Sequence, residues 1–367
     1  MRVLISGGGS GGHVFPAIAI ADAIKRKDPY AEFQFVGALG KMEMEKVPRA
    51  GYEIEGLWIS GLQRKLSLRN LMLPFKVVSS LWKSRQIIKQ FKPDVAVGVG
   101  GYASFAALTV AHWMKVPILL QEQNSYAGLT NRQLARKADR VCVAYDGMER
   151  FFKPETIVHT GNPVRKDIGV TDNKRTEAYQ YYNFEPSKKT ILIVGGSLGA
   201  RTLNEAMDKS VEHLRRHEDV QVLWQCGSMY YERFKDSEAA GLPNVTLTQF
   251  IERMDLAYAM ADVVISRAGA IAISELCMVG KPTVLVPSPN VAEDHQRQNA
   301  LALVNREAAL MVEDANADIK MLDEAIKILQ RQELAERLQR NIREMGRPDA
   351  TDRIAAEVID LAKQKMT

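Results

Sequence analysis

Cysteine is scarce in this chain, which has three cysteines among its 367 residues. Cys142, Cys226 and Cys277 stand far apart and form no C-x-x-C pair. A disulfide framework uses a denser set of cysteines, and a zinc ribbon uses close pairs of thiolates. The sequence therefore favours neither, and the three thiols fit a reducing compartment.

Long apolar runs are lacking as well. The apolar start of the chain, 1–5, is too short for the core of a signal peptide. Residues 95–114 contain no Asp, Glu, Lys or Arg over about the length that a bilayer requires. Glycines, Ser104 and His112 interrupt this segment, so we expect a strand, a glycine turn and a buried helix there instead of a membrane span.

Acidic residues are absent from 56–93, although the formal net charge of the whole chain is only +5. Basic and large apolar side chains are mixed in this segment. Such a mixture suits the surface of an anionic membrane, to which each cation adds about 1 kcal/mol of attraction. A solvated helix pair with one apolar side explains the composition equally well. Nucleic acid is disfavoured, because neither aromatic stacking platforms nor a groove-reading motif occurs. The basic residues are Arg64, Lys65, Arg69, Lys76, Lys83, Arg85, Lys89 and Lys92.

Short apolar runs alternate with helical patterns along both halves of the chain. This alternation predicts an α/β fold with two Rossmann-like domains, each with a mostly parallel sheet covered by helices on both faces. The predicted strands are 3–6, 33–36, 95–99, 118–120 and 141–144, then 191–194, 220–224, 245–247, 263–265 and 283–286. We expect an N-terminal domain at 1–162, a C-terminal domain at 163–345, and a helix at 346–367 that packs back across the hinge.

A glycine-rich loop follows a predicted strand in each half. The first reads Gly-Gly-Gly-Ser-Gly-Gly-His over 7–13, and the second reads Gly-Gly-Ser-Leu-Gly-Ala-Arg over 195–201. Glycines allow backbone N–H groups and a helix N-terminus to approach an anion. Neither loop spells G-x-G-x-x-G, which disfavours a plain dinucleotide oxidoreductase. The repeat suggests two similar domains that face one ligand.

Three further features carry chemistry. His13 directly follows the first glycine loop and has the pKa range of a base, so it is a candidate acceptor of a proton from a hydroxyl nucleophile. A loop at 98–104 follows another strand and could hold a second anion. The segment 266–275 opens a helix with Glu275 in its second turn, which permits phosphate at the helix N-terminus and a ribose diol on the carboxylate.

These motifs, taken in order, resemble the MurG family of N-acetylglucosaminyltransferases of peptidoglycan synthesis, and the resemblance covers nearly the whole chain. Any one motif is shared with other sugar transferases, whereas the ordered set is specific. The matching segments are 7–16, 98–102, 122–124, 127–131, 161–165, 195–201, 266–270 and 294–296.

The resemblance implies the GT-B fold, in which the two Rossmann-like domains face a cleft. The N-terminal domain would bind the acceptor and associate with an anionic membrane surface, and the C-terminal domain would bind UDP-N-acetylglucosamine. The sugar would move with inversion to the C4 hydroxyl of undecaprenyl-diphospho-N-acetylmuramoyl-pentapeptide, converting lipid I to lipid II. The resemblance further implies a peripheral protein on the cytoplasmic face of the cell membrane, with other cell-wall synthesis proteins as partners. That acceptor would also explain the basic and apolar segment 56–93.

The resemblance also implies roles for individual residues. His13 is the candidate catalytic base, and Gly100, Gly101 and Tyr102 would contact the acceptor. No cofactor and no metal are expected, since the sequence contains no Asp-x-Asp to clamp a diphosphate. Helix N-termini and Arg165 would then stabilise the leaving group. The residues expected to bind substrate are Ser10, Gly11, Gly12, Asn124, Arg165, Ser197, Ile251 through its backbone, Ala270, Ile271, Ala272, Ile273, Ser274, Glu275 and Gln296.

One position departs from the family pattern. Many members have histidine where this chain has Gln121. Glutamine can form hydrogen bonds but cannot carry a proton at neutral pH, so the role of base shifts towards His13. Two alternatives stay open at this point: a transferase of the same fold that acts on another lipid acceptor such as diacylglycerol, and a non-catalytic sensor of nucleotide sugars.

Overall fold

The alternating apolar runs form two sheets, and every strand pairing in the described residues is parallel, which confirms the predicted fold class. This computed structural model describes residues 1–60, 72–164, 168, 173–291 and 294–366, with no side-chain description at 365 and 366. The chain divides into one unit formed by Met1–Val164 and Asp349–Thr367 and another formed by Arg165–Pro348. The sequence placed this division after residue 162.

The first unit contains a seven-stranded sheet in the order β3-β2-β1-β4-β5-β6-β7. Its strands are β1 Arg2–Gly7, β2 Glu32–Ala38, β3 Ile54–Leu57, β4 Val95–Gly100, β5 Ile118–Glu122, β6 Arg140–Val143 and β7 Ile157–His159. Its first helices are α1 Gly11–Lys27, α2 Glu43–Arg49, α3 Leu73–Phe91, α4 Tyr102–Trp113 and α5 Leu129–Leu134, with 3-10 turns at Ala135–Lys137, Met148–Arg150 and Pro154–Thr156. Separate apolar clusters cover the two faces of the sheet.

The second unit contains a six-stranded sheet in the order β10-β9-β8-β11-β12-β13. Its strands are β8 Lys189–Val194, β9 Val220–Gln225, β10 Val245–Thr248, β11 Val263–Ser266, β12 Thr283–Leu285 and β13 Leu310–Met311. Its helices are α6 Arg175–Tyr182, α7 Arg201–Asp208, α8 Val211–Arg216, α9 Tyr231–Phe234, α10 Met254–Met260, α11 Ala270–Val279, α12 His295–Val304, α13 Ala317–Gln330 and α14 Gln332–Glu344, with a 3-10 turn at Asp314–Asn316.

The last helix, α15 Ala350–Met366, returns to the first unit. Ile354, Val358 and Ala362 are fully buried in the same apolar cluster as Ile20 and Ile24 of α1. The amphipathic pattern at the end of the chain therefore completes the covering of the first sheet.

Both sheets reverse their strand order at one point, between β1 and β4 in the first unit and between β8 and β11 in the second. In open α/β sheets, ligands bind outside the carboxyl ends of the strands at this topological switch point. Each glycine loop of the sequence follows one of these four strands. The fold alone therefore selects the loops after β1, β4, β8 and β11 as candidate binding elements.

The segment 95–114, which lacks charged residues, forms β4, a glycine turn and α4, as predicted. Both elements are mostly buried in the first unit. No helix in the described part of the chain is long and apolar enough to cross a membrane.

Candidate active site

The two glycine loops of the first unit are joined to each other at the switch point. The Gly8 N–H donates to the Gly100 carbonyl oxygen at 3.2 Å. Gly100 and Gly101 have φ angles of +103° and +92°, and a Cβ on Gly101 would collide with the Gly8 carbonyl oxygen. Only glycine tolerates both the positive φ and this close approach of two backbones.

His13, in the first turn of α1, lies against this junction. Its Nδ1 is 3.0 Å from the Gly8 carbonyl oxygen and 3.3 Å from the Ser10 hydroxyl. A carbonyl oxygen can only accept a hydrogen bond, so in the neutral ring Nδ1 carries the proton and Nε2 carries the lone pair. A Cβ on Gly100 would stand 2.8 Å from Nε2. The hydrogen bond to Gly8 thus places the imidazole lone pair on Nε2.

Most of the other residues expected to contact substrate in this unit lie on the same two loops, whereas Asn124 follows β5. Ser10 and Gly12 are exposed and Gly11 is half-buried at the N-terminus of α1. Tyr102, the first residue of α4, is 53% exposed. The structure therefore brings the loops at 7–13 and 98–104 to one edge of the sheet, around His13.

Gln121, the position at which the sequence departs from the expected family pattern, is fully buried in β5. Its Nε2 donates to Asn162 Oδ1 at 2.9 Å, and Asn162 Nδ2 donates to the Gln123 carbonyl at 2.9 Å. These bonds tie the Gly161-Asn-Pro segment to the end of β5. In this chain the glutamine side chain serves packing and hydrogen bonding within the unit.

Glu122 is a buried carboxylate that the sequence analysis did not single out as functional. It accepts hydrogen bonds from the backbone N–H groups of Asn124 and Gly128, each at 3.0 Å, and from Asn131 Nδ2 at 2.8 Å. The Asn124 side-chain amide also lies 3.3 Å from it. Glu122 therefore fixes the loop that presents Asn124. A charged residue at the end of an apolar strand was the available sequence signal.

The second unit carries its glycine loop between β8 and α7. A Cβ on Gly199, whose φ is +89°, would collide with the Cys226 carbonyl oxygen. The Gly199 N–H and Gln225 Nε2 donate to the Gly196 carbonyl at 2.9 and 3.0 Å. Ser197 lies exposed at the tip of this loop. This loop is thus held from beneath by a neutral amide.

Helix α11 begins beside this loop, because β11 pairs with β8 in the sheet. Gly269 precedes the helix, no side chain caps it in the described residues, and its first turn contains no acidic residue. Its N–H groups and the positive end of its dipole therefore favour an anion at this edge of the sheet. Ala270, Ile271 and Ala272 form this first turn.

The next three residues of α11 have different surroundings. Ile273 is 1% exposed, so its side chain belongs to the core. Ser274 Oγ donates to the Ala270 carbonyl at 2.9 Å. Glu275 is partly exposed and accepts from the Tyr258 hydroxyl at 3.3 Å. Of the three, Glu275 presents the group best suited to a diol.

The remaining predicted contacts are Ile251, Gln296 and Arg165. The Ile251 side chain is 3% exposed, so its side chain belongs to the core. Gln296, at the start of α12, accepts from the Ser288 N–H through Oε1 at 2.9 Å, which leaves its amide N–H groups to act as donors. Arg165 lies outside the described residues.

Within the described part of the chain, no cluster of three or more His, Cys, Asp or Glu side chains could hold a metal ion.

Outside these loops, the first unit has an exposed apolar stripe along α3, formed by Phe75, Val78 and Trp82. They are spaced three and four positions apart on one helix face and are 68%, 66% and 64% exposed. Exposed Arg85 and Lys89 continue the same face. Trp82 also borders a surface pocket of about 420 Å³, which is lined by Leu81, Trp82, Arg85, Val110, Trp113 and Met114. Of the segment 56–93, residues 61–71 lie outside the described residues.

Comparison with protein families identifies both units. Residues 3–143 match the glycosyltransferase family 28 N-terminal domain, and residues 190–354 match the glycosyltransferase family 28 C-terminal domain. The chain belongs to glycosyltransferase family 28. A family 28 chain is a glycosyltransferase, and its two parallel-sheet units are those of the GT-B fold.

Individual relatives agree with this assignment. A protein of Cytophaga hutchinsonii, named UDP-N-acetylglucosamine--N-acetylmuramyl-(pentapeptide) pyrophosphoryl-undecaprenol N-acetylglucosamine transferase, is 53% identical over 98% of this chain and 96% of its own length. A Bacteroides fragilis protein of the same name is 53% identical over 99% of this chain and 96% of its own. The crystal structure of Acinetobacter baumannii MurG superposes with a TM-score of 0.77 at 29% identity, covering 98% of this chain and 99% of that one.

Proposed function

We propose that this family 28 chain transfers N-acetylglucosamine from UDP-N-acetylglucosamine to the C4 hydroxyl of undecaprenyl-diphospho-N-acetylmuramoyl-pentapeptide, with inversion at the anomeric carbon. The product would be lipid II of peptidoglycan synthesis. The observation that carries this proposal is the likeness of the whole chain to relatives that bear the name of this transferase and are about half identical over nearly their full length. The hydrogen bond from His13 to the Gly8 carbonyl at the switch point supports it.

His13 acts as the general base in this proposal. An inverting transfer is a single displacement: the acceptor hydroxyl oxygen attacks the anomeric carbon, its proton passes to a base, and UDP departs with the bonding electrons. Nε2 of His13 takes that proton, because Nδ1 is committed to the Gly8 carbonyl. Gly100, Gly101 and Tyr102 border the same junction and would position the acceptor.

The second unit would bind the donor. The N-terminus of α11 and the loop carrying Ser197 follow neighbouring strands, so both can face one diphosphate. Their N–H groups would stabilise the charge that develops on the departing UDP. Glu275 would accept hydrogen bonds from the ribose hydroxyls, and Gln296 would contact the sugar. Ile251 would meet the uracil through its backbone. In the first unit, Ser10, Gly11, Gly12 and Asn124 are the proposed substrate contacts.

The exposed apolar stripe would place the enzyme on the membrane that contains its acceptor. An amphipathic helix lies at the membrane interface when its apolar side chains enter the acyl boundary and its cations meet anionic headgroups. Phe75, Val78 and Trp82 supply the apolar side chains, and Arg85 and Lys89 supply charge. We infer peripheral binding at the cytoplasmic face of the cell membrane.

An acceptor screen tests the proposed reaction. Purified protein receives UDP-N-acetylglucosamine with one acceptor at a time, and released UDP is measured. We expect release with the muramoyl-pentapeptide diphospho-lipid and background release with diacylglycerol or without acceptor. Equal turnover with diacylglycerol would contradict the substrate assignment. Donor binding without turnover on any acceptor would indicate a sensor instead of a transferase.

A further inference from the structure

A second buried carboxylate lies directly beneath the first glycine loop. Glu43, the first residue of α2, is 0% exposed. Its Oε2 accepts from the Gly9 N–H at 2.9 Å, and its Oε1 accepts from the Ala38 N–H at 3.0 Å. Both partners are donors, so the ionised carboxylate fits this site. Neighbouring Lys46 and Arg49 form ion pairs with Glu45.

The Gly9 N–H belongs to the same peptide group as the Gly8 carbonyl. That carbonyl accepts from Nδ1 of His13 at 3.0 Å. A continuous chain therefore runs from the Glu43 carboxylate to the Gly9 N–H, through the peptide group to the Gly8 oxygen, and on to the imidazole. Hydrogen bonds in such chains polarise one another, and bonds to a charged partner are the stronger ones.

We propose that Glu43 is a positioning residue that acts on His13 through the peptide group joining Gly8 and Gly9. Its negative charge draws the Gly9 proton and raises the electron density on the Gly8 oxygen. That oxygen then holds the proton on Nδ1 of His13 and leaves the lone pair on Nε2, where the acceptor hydroxyl is deprotonated. The inference rests on His13 as the base of the proposed function.

The Glu43 side chain occupies space that neighbouring glycines leave open. A Cβ on Gly8 would collide with the Glu43 carboxylate, and a Cβ on Gly37 would stand 2.6 Å from its Cγ. Both glycines therefore make room for this side chain. In the second unit the matching loop is held by the neutral Gln225 amide. In the described residues, a carboxylate accepts a hydrogen bond from the first loop and a neutral amide donates one to the second.

The first test reads the tautomer of His13 without measuring activity. ¹⁵N NMR of histidine-labelled full-length protein is compared with the spectrum of His13→Ala, which identifies the His13 signals among those of the six histidines. Neutral His13 should carry its proton on Nδ1, and Glu43→Gln should move population towards the Nε2–H form. A wild-type His13 protonated on Nε2, or an unchanged tautomer in Glu43→Gln, would overturn the proposal.

The second test separates positioning from folding. Glu43→Gln keeps the size of the side chain but replaces a charged acceptor by a neutral one, which should lower kcat about five- to tenfold. The Kd for UDP should stay within about twofold, because the donor is bound by the other unit in the proposed function. A lower affinity for UDP at unchanged kcat would contradict the proposal.

Asp94→Asn is the matched control. Asp94 accepts the Arg2 N–H at 2.7 Å, at the opposite end of β1 from the glycine loop, and its variant should keep the wild-type kcat. If Glu43→Gln does not fold, the tautomer is read in Glu43→Asp, whose shorter side chain draws the carboxylate away from the Gly9 N–H and should also move population towards the Nε2–H form; an unchanged tautomer there would overturn the proposal. If His13→Ala keeps normal kcat, His13 is not the base and the proposed mechanism fails. The change of the His13 tautomer in the Glu43 variant tests the link between Glu43 and His13 separately.

Discussion

Membrane binding through the apolar stripe of α3 can be tested by removing its two aromatic side chains. Phe75 and Trp82 are 68% and 64% exposed. Aromatic side chains offer about 150–250 Å² each, so each of these two exposes about 130 Å². At about 25 cal/mol per Å², full burial would contribute about 3 kcal/mol per side chain. Half-burial at the interface gives about 3 kcal/mol for the pair, which is a factor of about one hundred in partitioning.

The assay is co-sedimentation with vesicles that contain phosphatidylglycerol. The double variant Phe75→Ser and Trp82→Ser should bind about a hundredfold more weakly than the wild type. The control is Tyr30→Ser, since Tyr30 is 90% exposed on the turn between α1 and β2; its binding should not change. The wild-type protein should also bind less well as salt screens the cations. A double variant that binds within about twofold of wild type would refute the assignment of this surface.

Four further outcomes are expected. His13→Ala should lower kcat by about 10²- to 10⁴-fold while UDP binding, measured by calorimetry, changes little; near-normal kcat would exclude His13 as the base. Ile354→Ala, in the core contact of α15, should cost about 2–5 kcal/mol of unfolding free energy in urea melts; a loss below about 1 kcal/mol would contradict the docking of this helix. Burial raises the pKa values of the three thiols to about 11 or 12, so the native protein should react slowly with a thiol reagent at pH 7, and rapid labelling of one cysteine would disagree. Hydrogen bonds from Arg253 hold the pKa of Asp255 below its ordinary 3.8, so the ionised carboxylate stabilises the folded protein above pH 3.8 and this contribution is lost as the pH falls below that value. Asp255→Asn should therefore make unfolding less sensitive to acid, and an unchanged acid transition would argue against this ion pair.

The core strands could be predicted from sequence because parallel strands buried on both faces read as continuous apolar runs. Three edge strands were missed. β3 is interrupted by Glu55 and Gly56, β7 is only partly buried, and β13 has two residues. Strands near a sheet edge are covered less completely, so their apolar signal is weaker.

The glycine loops and His13 could be found in the sequence because each follows an apolar strand. The role of Glu43 could not. Glu43 accepts from Gly9, which is 34 positions away in the chain, and no local pattern predicts that a carboxylate will be buried against a backbone N–H of a distant loop. Buried charges that are satisfied by hydrogen bonds depend on tertiary structure.

The two glycine loops also differ in the side chains that contact them, which the repeated glycine pattern does not reveal. Both loops follow a strand at a switch point, but the first donates a backbone hydrogen bond to the Glu43 carboxylate and the second accepts one from the Gln225 amide. The side chains that hydrogen-bond to the two loops therefore differ in charge.

The most direct test of the central claim is the identity and configuration of the product. The protein is incubated with UDP-N-acetylglucosamine labelled in the sugar and the muramoyl-pentapeptide diphospho-lipid, and the extracted lipid is examined by mass spectrometry and NMR. We expect one labelled sugar on the C4 oxygen in the β configuration, since inversion converts the α-linked donor. A labelled sugar in the α configuration, or no label in the lipid, would contradict it.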